Sequence, residues 1–410
     1  MPWKETCAMF ERVKFIGMYL QQEWTMAELC RFFDISRKTG YKTVKRFQRD
    51  GLSGLEDRSR APHRHPHAVS ELIEQAVMAG RQVHPRWGPK KLKAWLQRRD
   101  RETQWPAVST IGEILSRHGL TLPRRRSRKV KAYDQPFVGC DFPNAVWSAD
   151  LKGWFVTGDG VRCDPLTISD NYSRFLLRCQ AVSPANHDLI QPVFEATFRE
   201  YGLPLAIRSD NGAPFATTTV GALSKLSIWW LRLGIMPERI EPGQPQQNGR
   251  HERMHRTLKD ETASPPKRTW RTQQKAFDHF RQEYNQERPH ESLDQETPAS
   301  LYLPSERLYP LILPEMTYPD DMMVRFVKSQ GDISWKNRHV YLSATLAGEL
   351  VGLRQVSDRL LDIYFGPIKL AQLDTYECRL VHLPRTKKRP RTNEDKRENE
   401  SKKVLPMCPV

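Results

Sequence analysis

The sequence contains no apolar run long enough to cross a membrane, and its first residues lack the charged-then-apolar pattern of a secretion signal. Its seven cysteines are scattered at positions 7, 30, 140, 163, 179, 378 and 408, without a Cys-x-x-Cys pair. This pattern is typical of reduced thiols and argues against a disulfide framework. We therefore expect a cytoplasmic protein.

Acidic residues are outnumbered by basic ones. The 65 Lys and Arg residues face 48 Asp and Glu residues, which leaves a net charge of +17. Such an excess favours a polyanionic partner, with nucleic acid ahead of an anionic membrane surface. At 410 residues the chain is long enough for about two to four domains, each with its own core.

Residues 1–62 have the pattern of a helix-turn-helix domain. Thr25 and Glu28 form a predicted capping box at the start of a second helix, and Ser36 caps a third. Any three-helix bundle has this pattern, but the third helix is basic on its outward side, which favours DNA binding. The candidate DNA-binding residues on it are Arg37, Lys38, Lys42, Lys45 and Arg46.

Residues 68–123 are predicted to form a second helical unit. One helix covers Val69 to Arg81, a second begins at Pro89, and a third is capped by Ser109 and stopped by Gly119. The unit resembles a second helix-turn-helix DNA-binding domain, and a domain that only packs against the rest of the chain is the alternative. His63, His65 and His67 before it fit a solvated linker better than a metal site.

A basic linker, residues 124–142, follows. It begins with Arg124, Arg125 and Arg126, which we expect to contact DNA phosphates without sequence preference.

Three acids in the middle of the chain stand where a metal site would need them. Asp150 interrupts an apolar, β-prone run, and Asp210 ends a short strand before a Gly-containing turn. Glu252 lies on a predicted helix with His255, Arg256 and Lys259 at three- and four-residue spacing. A buried carboxylate costs free energy unless it is paired or binds a metal, although strand-end Asp residues more often form turns. Hard oxygen ligands suit Mg²⁺ or Mn²⁺.

These residues belong to phrases with a family resemblance. The phrases Trp147-Ser-Ala-Asp150, Ser209-Asp210-Asn-Gly212 and Gln247-Asn-Gly-Arg-His-Glu252 resemble the DDE triad of insertion-sequence transposases with a retroviral-integrase-type catalytic core. The resemblance implies that Asp150, Asp210 and Glu252 are the catalytic residues and hold two Mg²⁺ (or Mn²⁺) ions. It also implies that His255, Arg256 and Lys259 hold DNA phosphates. Forty-one residues separate Asp210 from Glu252, against about thirty-five in the family pattern.

The resemblance implies a transposase that binds transposon ends, cleaves phosphodiesters and transfers strands into target DNA. Its partner would be double-stranded DNA from the transposon ends and the target, at the bacterial nucleoid. It would act as a homo-oligomer in a synaptic complex, without a membrane. Two alternatives stay open: a DNA-binding regulator that has lost catalysis, and a nuclease without joining activity.

The expected fold is multidomain. Two all-α helix-turn-helix modules precede an α/β RNase H-like catalytic domain with a mixed sheet, residues 143–304. Short β-prone runs within residues 318–376 predict a small antiparallel β-barrel, and residues 385–410 are predicted to be disordered. Asp170 is a rival acid, but the residues after it indicate a hairpin turn.

Overall fold

A computed structural model describes residues 7–59, 69–121, 139–151, 153–217, 220–240 and 249–381. Two compact units, Met1–Ser70 and Glu71–Val410, divide the chain and are described separately. Three predictions lie outside the described residues: the histidine-rich linker, the arginines that begin the basic linker, and the disordered tail. No helix in the described part of the chain is both long and apolar enough to cross a membrane.

The first unit is helical. Its helices are α1 (Ala8–Leu20), α2 (Met26–Phe32) and α3 (Arg37–Asp50), followed by a 3-10 helix (Gly51–Leu55). The predicted caps are confirmed, because Thr25 and Glu28 form the capping box of α2 and the Ser36 side chain accepts from Thr39 N. Buried Leu55, the last residue of this 3-10 helix, packs into the core of the unit.

Three further helices open the second unit: α4 (Glu71–Val83), α5 (Pro89–Arg99) and α6 (Val108–Arg117). Pro89 is the first residue of α5, as predicted. The predicted Ser109 cap is wrong, because Ala107 holds the N-cap position without a side-chain hydrogen bond. These helices contact the rest of the unit through polar groups. His84 lies 2.9 Å from Glu283 and stacks on Trp87 at 3.6 Å.

A six-stranded mixed sheet forms the centre of the second unit. Its strands are β1 (Val146–Leu151), β2 (Phe155–Val156), β3 (Arg162–Asp170), β4 (Leu176–Val182), β5 (Ala206–Ser209) and β6 (Met236–Arg239). The order is β2-β3-β1-β5-β6, and β4 also pairs with β3. β3 is antiparallel to β1 and β4, whereas β5 is parallel to β1 and β6. The predicted mixed sheet is therefore confirmed.

Helices cover both faces of this sheet, as predicted. They are α7 (His187–Tyr201), α8 (Lys225–Arg232), α9 (Gly249–Thr262), α10 (Trp270–Gln286) and the short α11 (Pro298–Leu301). α7 and α8 pack on one face, where the adjacent Trp229 and Trp230 are buried as expected. On the other face, α9 and α10 cover Cys163 and Cys179 in a second apolar cluster. One face of the sheet near β1 is therefore covered by α9.

Gly202 ends α7 with φ of 78°. A Cβ atom added there would lie 2.5 Å from the Ser305 carbonyl oxygen and 2.9 Å from that of Arg307. The residues after α11 bind this corner, since Ser305 N donates to Tyr201 O at 2.8 Å. Only glycine provides both the backbone conformation and the space.

The predicted C-terminal strands are present: β7 (Met323–Phe326), β8 (Asp332–Trp335), β9 (Arg338–Tyr341), β10 (Leu350–Gln355), β11 (Leu360–Phe365) and β12 (Ile368–Asp374). One further strand, β13 (Arg379–Val381), lies beyond the range 318–376 and was not predicted. The predicted barrel is wrong for the described residues. Five strands form an open antiparallel sheet with β13 and β7 at its edges, and β8 pairs with β9 in a separate hairpin. A barrel closes only when its edge strands pair, and β7 pairs with β10 alone.

Candidate active site

Two of the predicted acids lie on or directly after neighbouring strands. β1 and β5 are parallel, and their pairing register ends at Ala149 opposite Ser209. Asp150 is the next residue of β1, and Asp210 directly follows the last residue of β5. Neighbouring strands of a sheet lie about 4.8 Å apart. Asp150 is 16% exposed at its side chain, and Asp210 is exposed.

α9 runs across this face of the sheet. Its buried side chains follow an i, i+3, i+4, i+7 pattern: His251, Met254, His255 and Leu258. Glu252 and Arg256 lie one position further around the helix and are exposed. The prediction that His255 shares a DNA-facing surface with Glu252 is therefore wrong, because His255 faces the sheet and is 4% exposed.

A hydroxyl in the sheet holds both buried histidines. Thr167 lies opposite Asp150 in the β1–β3 register, and its Oγ1 is 2.6 Å from Nε2 of His251 and 2.6 Å from Nε2 of His255. The same hydroxyl donates to the Asp150 carbonyl oxygen at 3.2 Å. A hydroxyl has one hydrogen and two lone pairs, so it serves all three partners when both imidazoles donate through Nε2. We call Thr167, His251 and His255 the histidine clasp.

Burial fixes the charge of one histidine in the clasp. It lowers the pKa of His251 to about 3, which keeps the imidazole neutral near pH 7. With Nε2 protonated, Nδ1 is its acceptor, and the Ser169 hydroxyl lies 3.4 Å from it. His255 presents Nδ1 to Asp150 instead, at 3.8 Å from Oδ2. The clasp thus anchors α9 to the sheet directly beside the Asp150 carboxylate.

The three predicted acids do not form one close group. Among the described residues, the His, Cys, Asp and Glu side chains whose ligand atoms all lie within 4.8 Å of one another are those of Asp150, His251 and His255. Two imidazoles and a carboxylate suit a transition metal such as zinc. Here, however, both Nε2 atoms bind the Thr167 hydroxyl. Asp210 and Glu252 stay outside this group.

The rival acid Asp170 has a structural role, as the hairpin pattern predicted. Its carboxylate accepts from Asn144 N at 2.9 Å, Ser173 N at 2.8 Å and Ser173 Oγ at 2.6 Å. Burial raises the pKa of Asp170, and the hydrogen bonds from Ser173 and Asn144 oppose that shift. The carboxylate therefore stabilises the turn that joins β3 to β4.

Sequence reasoning missed Thr167 and His251. The signal for His251 was available, since Met254 and Leu258 are the apolar residues of α9 and lie three and seven positions after it. Counting from those two residues places His251 and His255 on the buried face. Thr167 carries no such signal, because a threonine within a β-prone run is ordinary.

The cations predicted to bind DNA differ in exposure. Those on α3 that are exposed are Arg37, Lys38, Lys42 and Lys45. Arg46 is half-buried and donates to the Glu56 carbonyl oxygen, so its guanidinium holds the 3-10 segment in place. Lys259 of α9 is exposed and lies at the mouth of a small cavity beside Trp154.

Three family models match parts of the chain. Residues 11–63 match the helix-turn-helix domain family, and residues 39–115 match a homeodomain-like family. Residues 233–298, which include α9 and α10, match the integrase core domain family.

Two relatives encoded by insertion elements are similar over most of their length. The insertion element IS476 39.2 kDa protein of Xanthomonas euvesicatoria is 26% identical over 60% of this chain and 69% of its own. The IS407 31.7 kDa protein of Burkholderia multivorans is 26% identical over 55% of this chain and 80% of its own. The helix-turn-helix, homeodomain-like and integrase matches, together with these relatives, support the prediction of an insertion-sequence transposase with an integrase-type core.

Solved integrase structures are also similar to parts of the chain. The HTLV-2 integrase catalytic core domain in complex with magnesium covers 40% of this chain and 98% of its own, with a TM-score of 0.31 and 16% identity. A simian T-cell lymphotropic virus intasome chain covers 76% of this chain and 100% of its own, with a TM-score of 0.34 and 14% identity.

Proposed function

We propose that this protein is a metal-dependent DNA transposase that cleaves at transposon ends and transfers the freed strands into target DNA. The observation that supports the proposal is the register of β1 and β5, which ends at Ala149 opposite Ser209, so that Asp150 and Asp210 each directly follow the last paired residues. α9, the helix of Glu252, is anchored at Thr167, which pairs with Asp150 across β3 and β1. The domain proposed to catalyse the reaction spans residues 143–304 and has an RNase H-like fold.

The carboxylates are of the right kind for Mg²⁺ or Mn²⁺. Asp150 and Asp210 provide hard oxygen donors from adjacent strands, and Glu252 would supply a third from α9. When bound, two such ions activate the attacking hydroxyl and stabilise the leaving oxygen at phosphorus. The role of the protein chain is to hold these carboxylate oxygens in place. The histidine clasp limits how far α9 can rotate or shift along the sheet.

The exposed cations would hold the DNA. Those of α3 in the first unit fit a recognition helix, and Arg256 with Lys259 extends a basic edge along α9 next to Glu252. The helices α4 to α6 and Arg124, Arg125 and Arg126 are proposed to add contacts to the same duplex. Joining two ends in one event requires two active sites, so we propose a homo-oligomer at the nucleoid.

Cleavage and joining are tested with labelled duplexes taken from the inverted repeats that flank the reading frame, in Mg²⁺ or Mn²⁺. Asp150→Asn, Asp210→Asn and Glu252→Gln should each lower product formation by more than about a hundredfold. Asp188→Asn, which removes an exposed carboxylate from the first turn of α7, is the matched control and should retain activity. If Asp150→Asn joined DNA at the wild-type rate, the proposed triad would be wrong.

A DNA-binding regulator that has lost catalysis is the second candidate. The exposure of Glu252 and its absence from the close group around Asp150 favour it. The same assay separates the functions. Joined products support the transposase, cut products alone support a nuclease, and a bound but intact duplex supports the regulator.

A further inference from the structure

A cavity of about 380 Å³ lies where α5 meets α9, the end of α10 and the residues that follow it. Four cationic side chains line it: Lys91, Arg174, Arg253 and Arg288. Lys91 comes from α5 and Arg174 from the turn before β4. The cavity therefore exists only because α5 packs against the domain that contains the mixed sheet. We call it the basic cavity.

The carboxylates near the basic cavity are already engaged. Arg288 lies 2.9 Å from Glu261, and Glu291, which lines the cavity, lies 2.7 Å from Lys90, which does not line it. Arg174 donates to a neutral partner, the Asn171 carbonyl oxygen, at 2.7 Å. Lys91 forms no ion pair with a described residue. The cavity therefore holds more positive charge than its acids balance.

Two of these cations, Lys91 and Arg174, are held away from water. Burial and then the Arg288 cation lower the pKa of Lys91 to about 8. Burial also lowers the pKa of Arg174. Crowded, desolvated cations destabilise one another unless an anion lies between them. The cluster therefore costs folding free energy, and a bound anion would offset that cost.

One polar group on the wall lacks a hydrogen-bond partner. His290 Nε2 is buried without a hydrogen-bond partner among the described residues. Its ring lies edge-on to buried Tyr284 at 4.7 Å, and both residues line the cavity. A buried nitrogen left unpaired costs about 1–3 kcal/mol, and an anionic oxygen would accept from it once it is protonated.

We propose that the basic cavity binds a phosphate group. Guanidinium groups match the oxygens of a phosphate in a two-pronged geometry, and the Lys91 ammonium adds a point charge. The phosphate could belong to a DNA backbone or be a free ion. The DNA assignment rests on the proposed function, since Arg253 directly follows Glu252 on α9. A backbone phosphate held there would couple the docked position of α5 to the helix of the proposed active site.

The test uses the full-length chain and two probes. Binding of inorganic phosphate is measured by calorimetry at constant ionic strength, and binding of a fluorescent duplex of arbitrary sequence by anisotropy over a salt series. The variants are Lys91→Met and Arg253→Gln. Lys90→Met is the matched control, because it removes the same charge from the neighbouring position outside the cavity. Circular dichroism melting checks that each variant is folded, and exposed Arg253 gives a variant that leaves the core intact.

We expect Lys91→Met and Arg253→Gln each to weaken phosphate binding by about tenfold, and Lys90→Met by less than about twofold. If the ligand is a DNA backbone phosphate, each variant also lowers the slope of log affinity against log salt by about 1. An unchanged slope with lost phosphate binding supports a site for free phosphate. The proposal is overturned if neither probe responds, or if Lys90→Met responds as strongly as Lys91→Met. Both probes measure binding and neither measures DNA cleavage. A failure of the proposed reaction would therefore not change the result of this test.

Discussion

Replacing Thr167 by valine tests whether the histidine clasp holds α9 on the sheet. Valine has nearly the shape of threonine, so the change removes the hydroxyl without leaving a cavity. The two imidazole groups, whose Nε2 atoms lie 2.6 Å from the hydroxyl, then lose their acceptor in a buried site. An unsatisfied buried donor costs about 1–3 kcal/mol, so the free energy of unfolding should fall by about 2–5 kcal/mol.

The assay is urea unfolding followed by tryptophan fluorescence, since buried Trp147 and Trp230 report on the core beside β1. Thr167→Ser keeps the hydroxyl and serves as the control, which should lose far less stability. Hydrogen exchange at the amides of α9 locates the effect, and these should exchange faster in Thr167→Val alone. Equal stability of the valine and serine variants would refute the clasp as an anchor of α9.

Three further outcomes are expected. The pKa of His290 is lowered to about 3 by burial, so below about pH 6.5 the unfolded chain binds a proton that the folded chain does not. As the pH decreases below that value, this residue should therefore lower the free energy of unfolding by up to about 1.4 kcal/mol per pH unit. In urea titrations at several pH values, the free energy of unfolding of His290→Asn should depend less on pH by that amount. Gly202→Ala should cost about 2–4 kcal/mol in thermal unfolding, because of its positive φ and the blocked Cβ position, and wild-type stability would contradict this account. Lys38→Gln with Lys42→Gln should lower the salt slope of DNA binding by about 2, measured by anisotropy, whereas Lys14→Gln on α1 should not change it.

The helices and strands were largely predictable, because their signals are local. Capping residues placed the starts of α2 and α3. Every predicted C-terminal strand is present. Closure of those strands into a barrel was not predictable in the same way, since it depends on whether β7 and β13 pair across the sheet.

The candidate site was predictable in part. A position for Asp150 within a β-prone run and for Asp210 at a strand end follows from the sequence, but the parallel pairing of β1 with β5 joins segments more than fifty residues apart. The charge pattern of α9 suggested a functional face that contained His255. In the structure, the apolar Met254 and Leu258 turn that residue toward Thr167 instead.

The sequence by itself determined which segments are helical or extended, where the acids fall on them, and that the chain favours a polyanion. Those properties depend on neighbours within a few positions. The tertiary structure alone decided the contacts of α9 with the sheet, the histidine clasp and the basic cavity. Each of these depends on side chains from distant segments, and a rotation of about 100° per residue separates a buried position on a helix from an exposed one. Met254 and Leu258 indicate which face of α9 is buried, but only the folded sheet brings the Thr167 hydroxyl to that face.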